Sequence, residues 1–284
     1  MTEIQSIAVL GAGTMGHGIA QVAAMSGLDT RLYDLNDEAV QTGLRRIEAN
    51  LDKGVARGKV SDELRAATLS QVRGSTDLAD AVGGVQMVIE AAPENMDLKK
   101  RIFGDLSALV AEDTILGTNT SSLSLTEIAA AATNPSRVIG MHFFNPVHIV
   151  KLLEIVRAEQ TAPAVVDAVQ QVGARMGREM IVVADSAGFA TSRLGLILGL
   201  EAMRMVEQGV ASAADIDRAM ELGYRHPMGP LKLTDLVGLD VRLAIAEYLH
   251  RELGGEQFRP PQILRRMVRA GKLGKKSGQG FYEW

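Results

Sequence analysis

The apolar positions of the first part of the chain follow two alternating periods. Ile4 to Leu10 is a short run rich in β-branched residues, as in a strand, and Met15 to Ser26 carries its apolar residues at helical spacing. Thr30 to Asp34 reads as a second strand. From Glu38 to about Ser70 the chain is charged and helical, with a glycine-containing break near Gly54 to Gly58. This predicts a helical hairpin over about residues 38–70, inserted into the alternation. Val85 to Ala91, Thr114 to Gly117, Arg137 to His142, Lys151 to Val156 and Glu179 to Val183 read as further strands, with helices over Leu98 to Val110 and Ala164 to Met176. Parallel neighbours need long crossovers, so the pattern predicts an α/β fold with a doubly wound, mainly parallel sheet.

After Asp185 the strand signal stops. Arg193 to Gln208, Ala213 to Leu222, Val241 to Leu253 and Gln262 to Ala270 have helical character, punctuated by Pro227, Pro230, Gly238, Pro260 and Pro261. The expected division is an α/β domain over residues 1–185 and an all-helical domain over 186–284, separated by a change of pattern rather than a linker.

The first strand runs into Gly11-Ala12-Gly13-Thr14-Met15-Gly16, which opens the first helix. That placement gives the glycines separate tasks. Gly11 permits the tight turn, Gly13 lets a pyrophosphate approach the backbone, and Gly16 lets helix and strand pack closely. The helix start then offers N–H groups and a positive dipole end to the phosphates. Asp34, eighteen residues past Gly16, is placed to accept bonds from ribose hydroxyls. A carboxylate there repels a 2′-phosphate, and Leu35-Asn36 offers no cation for one, so the expected cofactor is NAD rather than NADP.

Composition narrows the partners. The 284 residues include 46% hydrophobic and 23% charged residues, as in a globular protein. A net charge of −4 gives no general attraction to nucleic acid or anionic lipid, so neither is expected as a partner. The absence of cysteine excludes disulfides, thiolate catalysis and cysteine-ligated metals. No HExxH or carboxylate cluster suggests a metal. Only three residues precede the first apolar run, and Leu194 to Leu200 is too short to span a bilayer. A cytoplasmic protein is the expectation.

Among the five histidines, His142 stands out. It ends the run Val138-Ile139-Gly140-Met141, and ligands of open α/β sheets bind at strand C-termini. Twelve residues on, Glu154 lies inside Leu152-Leu153-Glu154-Ile155-Val156, where an ionised carboxylate needs a partner. If the two meet, the glutamate orients the imidazole and raises its proton affinity, making His142 a general base for a carbinol hydroxyl. Sequence spacing leaves open whether they touch.

Gly11 to Gly18, Glu94, Asn119-Thr120-Ser121-Ser122, His142 to Pro146, Leu152 to Val156 and Gly274 to Tyr282, taken in order, resemble the 3-hydroxyacyl-CoA dehydrogenases, and among them the single-function 3-hydroxybutyryl-CoA type. The resemblance spans essentially the whole chain. It implies a Rossmann-type domain followed by a helical domain that binds substrate and forms most of a homodimer interface. The implied reaction is reversible NAD-dependent oxidation of an (S)-3-hydroxyacyl-CoA, with 3-hydroxybutyryl-CoA the first choice. His142 matches the family's base, Glu154 its orienting partner and Ser121 a substrate-contacting serine. Asp34, Glu94, Lys99, Asn145 and Lys276 fall at cofactor-site positions. Asn50 and Arg57 fall where coenzyme A is contacted, in place of a more familiar serine and lysine. Ser192 stands where the family has a substrate-holding asparagine, and its shorter side chain lacks the amide's paired donor and acceptor.

Two alternatives stay open at this point. One is a β-hydroxyacid dehydrogenase acting on a free acid, and the other is a non-catalytic NAD-binding protein on the same fold. Without the resemblance, Lys99 and Arg57 read as ordinary solvated helix charges.

Overall fold

The computed structural model describes residues 3–284. The chain divides into two compact units, Met1–Asp185 and Ser186–Trp284.

The first unit is built on one eight-stranded sheet. Its strands are β1 (Ser6–Leu10), β2 (Asp29–Tyr33), β3 (Val72–Ser75), β4 (Met87–Glu90), β5 (Ile115–Thr118), β6 (Val138–Phe143), β7 (Leu152–Arg157) and β8 (Glu179–Ala184). They lie in the order β3-β2-β1-β4-β5-β6-β7-β8. All neighbours are parallel except β6 and β7. The chain starts in the middle and winds outward in both directions, which leaves a switch point between β1 and β4. The expected doubly wound, mainly parallel sheet is the sheet observed.

Among the described residues, seven α-helices accompany it: α1 (Gly16–Met25), α2 (Asp37–Ala56), α3 (Asp62–Gln71), α4 (Leu78–Val82), α5 (Met96–Leu109), α6 (Leu125–Ala129) and α7 (Pro163–Arg175). Local chemistry fixes their starts. Asn36, Ser61 and Asn95 each accept a hydrogen bond from an N–H in the first turn of α2, α3 and α5. Pro163, which has no N–H to lose, opens α7. Ile7, Val9, Ile19, Leu32, Met87 and Ile89 belong to the continuous core beneath the switch point.

The sequence missed β3, α4 and α6. Each is five residues or shorter, and β3, with its Arg73 and Gly74 exposed, is a polar edge strand. The predicted hairpin is α2 and α3, and it forms the crossover from β2 to β3. Asp34 lies just past the end of β2 rather than closing it.

The second unit is helical: α8 (Thr191–Glu207), α9 (Ala213–Gly223), α10 (Pro230–Val237), α11 (Leu239–Leu253) and α12 (Gln262–Arg269). Leu196, Leu200, Met203, Leu231 and Leu249 are in its core. Its C-terminal segment is tied down by buried carboxylates. Asp235 accepts from the Phe281 and Tyr282 N–H groups and from Trp284 Nε1, at 2.9, 2.9 and 3.0 Å. Asp217 accepts from the Tyr282 hydroxyl at 2.7 Å.

The glycine turn generates a prediction. A Cβ on Gly16 would collide with the Gly11 carbonyl, whereas one on Gly13 would meet nothing within 4 Å. Gly16→Ala is expected to destabilise the fold by about 1–3 kcal/mol, read as a lower urea midpoint, while Gly13→Ala keeps the parental midpoint. Equal midpoints for both variants would contradict the packing role of Gly16.

Candidate functional site

Parallel strands bring their C-terminal ends to one edge of the sheet, and the polar groups of the first unit converge there. Gly11 turns the chain at φ +102° and donates its N–H to the Tyr33 carbonyl at 2.8 Å. The start of α1 has neither a side-chain cap nor an acidic residue in its first turn. With the open space over Gly13, the loop and helix start can receive a pyrophosphate. Asp34 sits beside the loop, accepting the Ala12 N–H at 2.7 Å and the Leu35 N–H at 2.7 Å. Asn36 is occupied in capping α2. The residues present therefore fit a dinucleotide with an unphosphorylated ribose.

Across the switch point, Glu90 ends β4 with no solvent exposure. Its carboxylate accepts from Lys99 Nζ at 2.7 and 2.9 Å, from Thr118 Oγ1 at 2.6 Å and from the Ala92 N–H at 2.6 Å. Lys99 is itself only 1% exposed, so it is not a solvated helix charge. Its Nζ also lies 3.5 Å from Glu94 Oε2. The other oxygen of Glu94 gathers the loop after β5: the Thr120 hydroxyl at 2.7 Å, the Ser121 N–H at 2.8 Å and the Ser121 hydroxyl at 3.2 Å. Glu94, Lys99 and Ser121 are thus one network, anchored on Glu90.

His142 and Glu154 do meet. They face each other in register across the antiparallel pair β6 and β7. Nδ1 of His142 lies 2.7 Å from Glu154 Oε2, and Glu154 is fully buried. The Phe144 ring stands 4.3 Å from the imidazole, centroid to centroid. At the end of β6, the Phe143 N–H donates to Asn119 Oδ1 at 2.9 Å, which links this strand to the loop that carries Ser121. A buried histidine held through Nδ1 by a carboxylate can exchange a proton at Nε2 while its tautomer stays fixed.

The other expected residues are more dispersed. Asn145 is exposed and precedes a cis proline, Pro146. Asn50, on α2, donates to Gln21 Oε1 of α1 at 3.1 Å. Arg57 caps the C-terminal end of α2 and is exposed. Two half-buried histidines lie near this cationic region. His17 is held below the usual imidazole range by burial and by Arg46, against the opposing Gly13 carbonyl. His148 is lowered by burial, by His17 and by Lys53. In the helical unit, Ser192 is the second residue of α8, and Lys276 pairs with Asp240 at 2.6 Å.

Comparison with known proteins decides among the readings. Residues 6–186 match the model of the 3-hydroxyacyl-CoA dehydrogenase NAD binding domain, and residues 188–284 that of the family's C-terminal domain. The chain belongs to the 3-hydroxyacyl-CoA dehydrogenase family. A 3-hydroxybutyryl-CoA dehydrogenase from Clostridioides difficile is 42% identical, over 98% of this chain and 99% of the relative. One from Mycobacterium tuberculosis is 40% identical, with 99% of each chain covered. The crystal structure of (S)-3-hydroxybutyryl-CoA dehydrogenase from Ralstonia eutropha superposes with a TM-score of 0.96 at 40% identity, again over 99% of each chain. This family member is an NAD-dependent oxidoreductase acting on 3-hydroxyacyl-CoA, and the free-acid and non-catalytic alternatives fall away.

Sequence reasoning missed Glu90, Thr118 and the hydrogen bond made by Asn119. The signal for Glu90 was present, since it is a carboxylate inside the apolar run Val85 to Ala91, as Glu154 is within its own run. Its consequence for stability is large. Lys99→Met leaves Glu90 buried and uncompensated, a loss expected to be about 3–5 kcal/mol. A Glu90→Gln/Lys99→Met double variant should recover part of it in urea unfolding, and a purely additive cycle would show that the two charges are not coupled.

Proposed function

We propose that this dehydrogenase oxidises short-chain (S)-3-hydroxyacyl-CoA thioesters, of which 3-hydroxybutyryl-CoA is the simplest, with His142 as general base and Glu154 as its positioning residue. The observation that carries this reading is the 2.7 Å contact between Glu154 and His142 Nδ1. In oxidation, His142 Nε2 takes the proton from the 3-hydroxyl as the carbon–oxygen double bond forms. NAD+, held by the glycine loop and Asp34, would supply the hydride acceptor for the same carbon. Glu154 keeps the imidazole in the productive tautomer and stabilises the imidazolium once it forms. In the reverse direction the imidazolium returns the proton to the carbonyl oxygen. Ser121, whose N–H is held by Glu94, turns its hydroxyl from Glu94 to the reacting oxygen, where charge changes most.

The remaining assignments rest on the family pattern together with local chemistry. Gly11, Gly13, Gly16 and Asp34 hold the adenosine diphosphate half of the cofactor. Glu94, Lys99, Asn145 and Lys276 belong to its nicotinamide side. Asn50 and Arg57, with Lys53 on the same helix, receive the coenzyme A moiety, whose phosphates suit exposed cations. Ser192 faces the acyl group. The helical unit also forms a homodimer. In support, Leu194 and Leu198 are exposed one turn apart on α8, and Leu233, Leu236 and Val237 are exposed on α10. A cytoplasmic location completes the proposal and suits a chain without cysteine.

The direct test is NADH oxidation by the purified protein with acetoacetyl-CoA, using free acetoacetate and NADPH as controls. Turnover confined to NADH and the thioester is expected, and turnover of the free acid at a similar rate would overturn the coenzyme A assignment. His142→Ala should lower kcat by roughly 10²–10⁴-fold while NADH affinity, followed by fluorescence, stays near that of the parent. A variant with full activity would remove His142 from the mechanism.

A further inference from the structure

His17 and His148 are two half-buried imidazoles that the first unit brings together beside cations rather than acids. His17 lies in the first turn of α1, and His148 in the loop that leaves β6 just beyond His142. Gly18 lets that loop reach α1. A Cβ there would stand 2.9 Å from the Val147 Cβ, so a side chain would push the loop away. Arg178 holds the loop in place, donating to the Val147 and Val150 carbonyls at 2.8 and 2.9 Å.

The helix α2 supplies the other charges. Arg46, Asn50, Lys53 and Arg57 recur at spacings of four, three and four, along one face of that helix. Asn50 donates to Gln21 of α1, one turn past His17, so this face borders α1. Burial lowers both imidazoles below their usual range. Arg46 adds to the effect at His17, against the Gly13 carbonyl, and His17 and Lys53 add to it at His148. The nearby acids are engaged or turned to solvent. Glu48 and Asp52 pair with Arg65 of α3, and Asp34 holds the Ala12 and Leu35 N–H groups. Asp62 and Glu63 lie in the exposed first turn of α3, and Lys151 and Glu179 are exposed at the foot of the loop. Among the described residues, no ion pair or side-chain hydrogen bond engages Arg46, Lys53 or His148.

A carbonyl oxygen only accepts, so the 2.7 Å contact of His17 Nδ1 with the Gly13 carbonyl puts a hydrogen on Nδ1. The other nitrogen, Nε2, is then the one that titrates, and once protonated it is a charged donor.

We propose that His17 and His148, with Arg46 and Lys53, bind a phosphate group of the coenzyme A moiety and take up protons as it arrives. This rests on the reading that gives the enzyme a coenzyme A thioester and sets that moiety on α2. Neighbouring cations keep the imidazoles neutral in the free enzyme, and an anion among them reverses the balance. The pair stands between the loop leaving His142 and the cations of α2, on the side of the thioester carrier. The dinucleotide phosphates have the N–H groups of the glycine loop instead. Because the bound form holds more protons than the free form, binding tightens as pH falls through the neutral range. Below about pH 6 the gain ends, since a phosphate monoester loses its second charge.

The test follows kcat/KM across pH for acetoacetyl-CoA and for acetoacetyl-N-acetylcysteamine, the same acyl thioester without phosphates, using NADH and the full-length protein. Titration of His142 acts on both substrates and cancels in their ratio. That ratio is expected to rise about tenfold from about pH 8 to about pH 6.5. His148→Gln should flatten the rise, as should His17→Gln, whose amide can still donate to the Gly13 carbonyl. If either variant does not fold, by thermal melting, the parent and the other variant decide. A flat ratio in the parent overturns the inference, as does an undiminished rise in His148→Gln. So does an NADH affinity, followed by fluorescence, that rises equally as pH falls, because the phosphate would then be the dinucleotide's. Inactivity toward both thioesters at every pH would instead overturn the dehydrogenase reading itself, and this inference with it.

Discussion

A charged carboxylate with no access to water sits at the point where the sheet reverses direction, and much of the site is arranged around it. Glu90 lies in register with Leu10 of β1 on one side and with Thr118 of β5 on the other. Leaving it unmatched there would be prohibitive, so Lys99, Thr118 and the Ala92 N–H all converge on it. Matching Glu90 fixes the start of α5, and with it Glu94, which gathers the loop that carries Ser121. Fully satisfied polar networks of this kind rigidify their surroundings. The serine loop therefore takes its place, through Lys99 and Glu94, from a single buried charge.

Much of this could be read from the amino acids. The alternation of strand and helix patterns before Asp185, and the helical patterns alone after it, are carried by long periodic segments. The glycine turn and Asp34 were legible because each glycine has its own steric reason. What escaped was short or depended on tertiary context. β3, α4 and α6 are too brief for periodicity to appear. The reversal of β7 relative to β6 leaves no mark in local composition, yet it is what sets Glu154 opposite His142. The partner of Lys99 escaped for a related reason, since a lysine on a charged helix looks solvated, apart from the family resemblance, until the carboxylate beneath it is located.

The buried polar groups of the helical unit fall into two kinds. Asp217 and Asp235 have their oxygens filled by backbone and ring donors of the same unit, and they fasten the C-terminal segment. Such groups are complete within the chain. Thr234 Oγ1 and Arg242 Nε are not, each being buried with no hydrogen-bond partner.

The pairing of His142 with Glu154 has a final consequence. Both side chains come from the body of the sheet, at opposed positions of two hydrogen-bonded strands, and neither comes from a loop. Because side chains alternate between the faces of a sheet, a shift of one residue in register would turn Glu154 to the opposite face and leave the imidazole without its carboxylate. The placement of the imidazole against its carboxylate is therefore held by the backbone hydrogen bonds between the two strands. The pair lasts as long as the two strands stay in register.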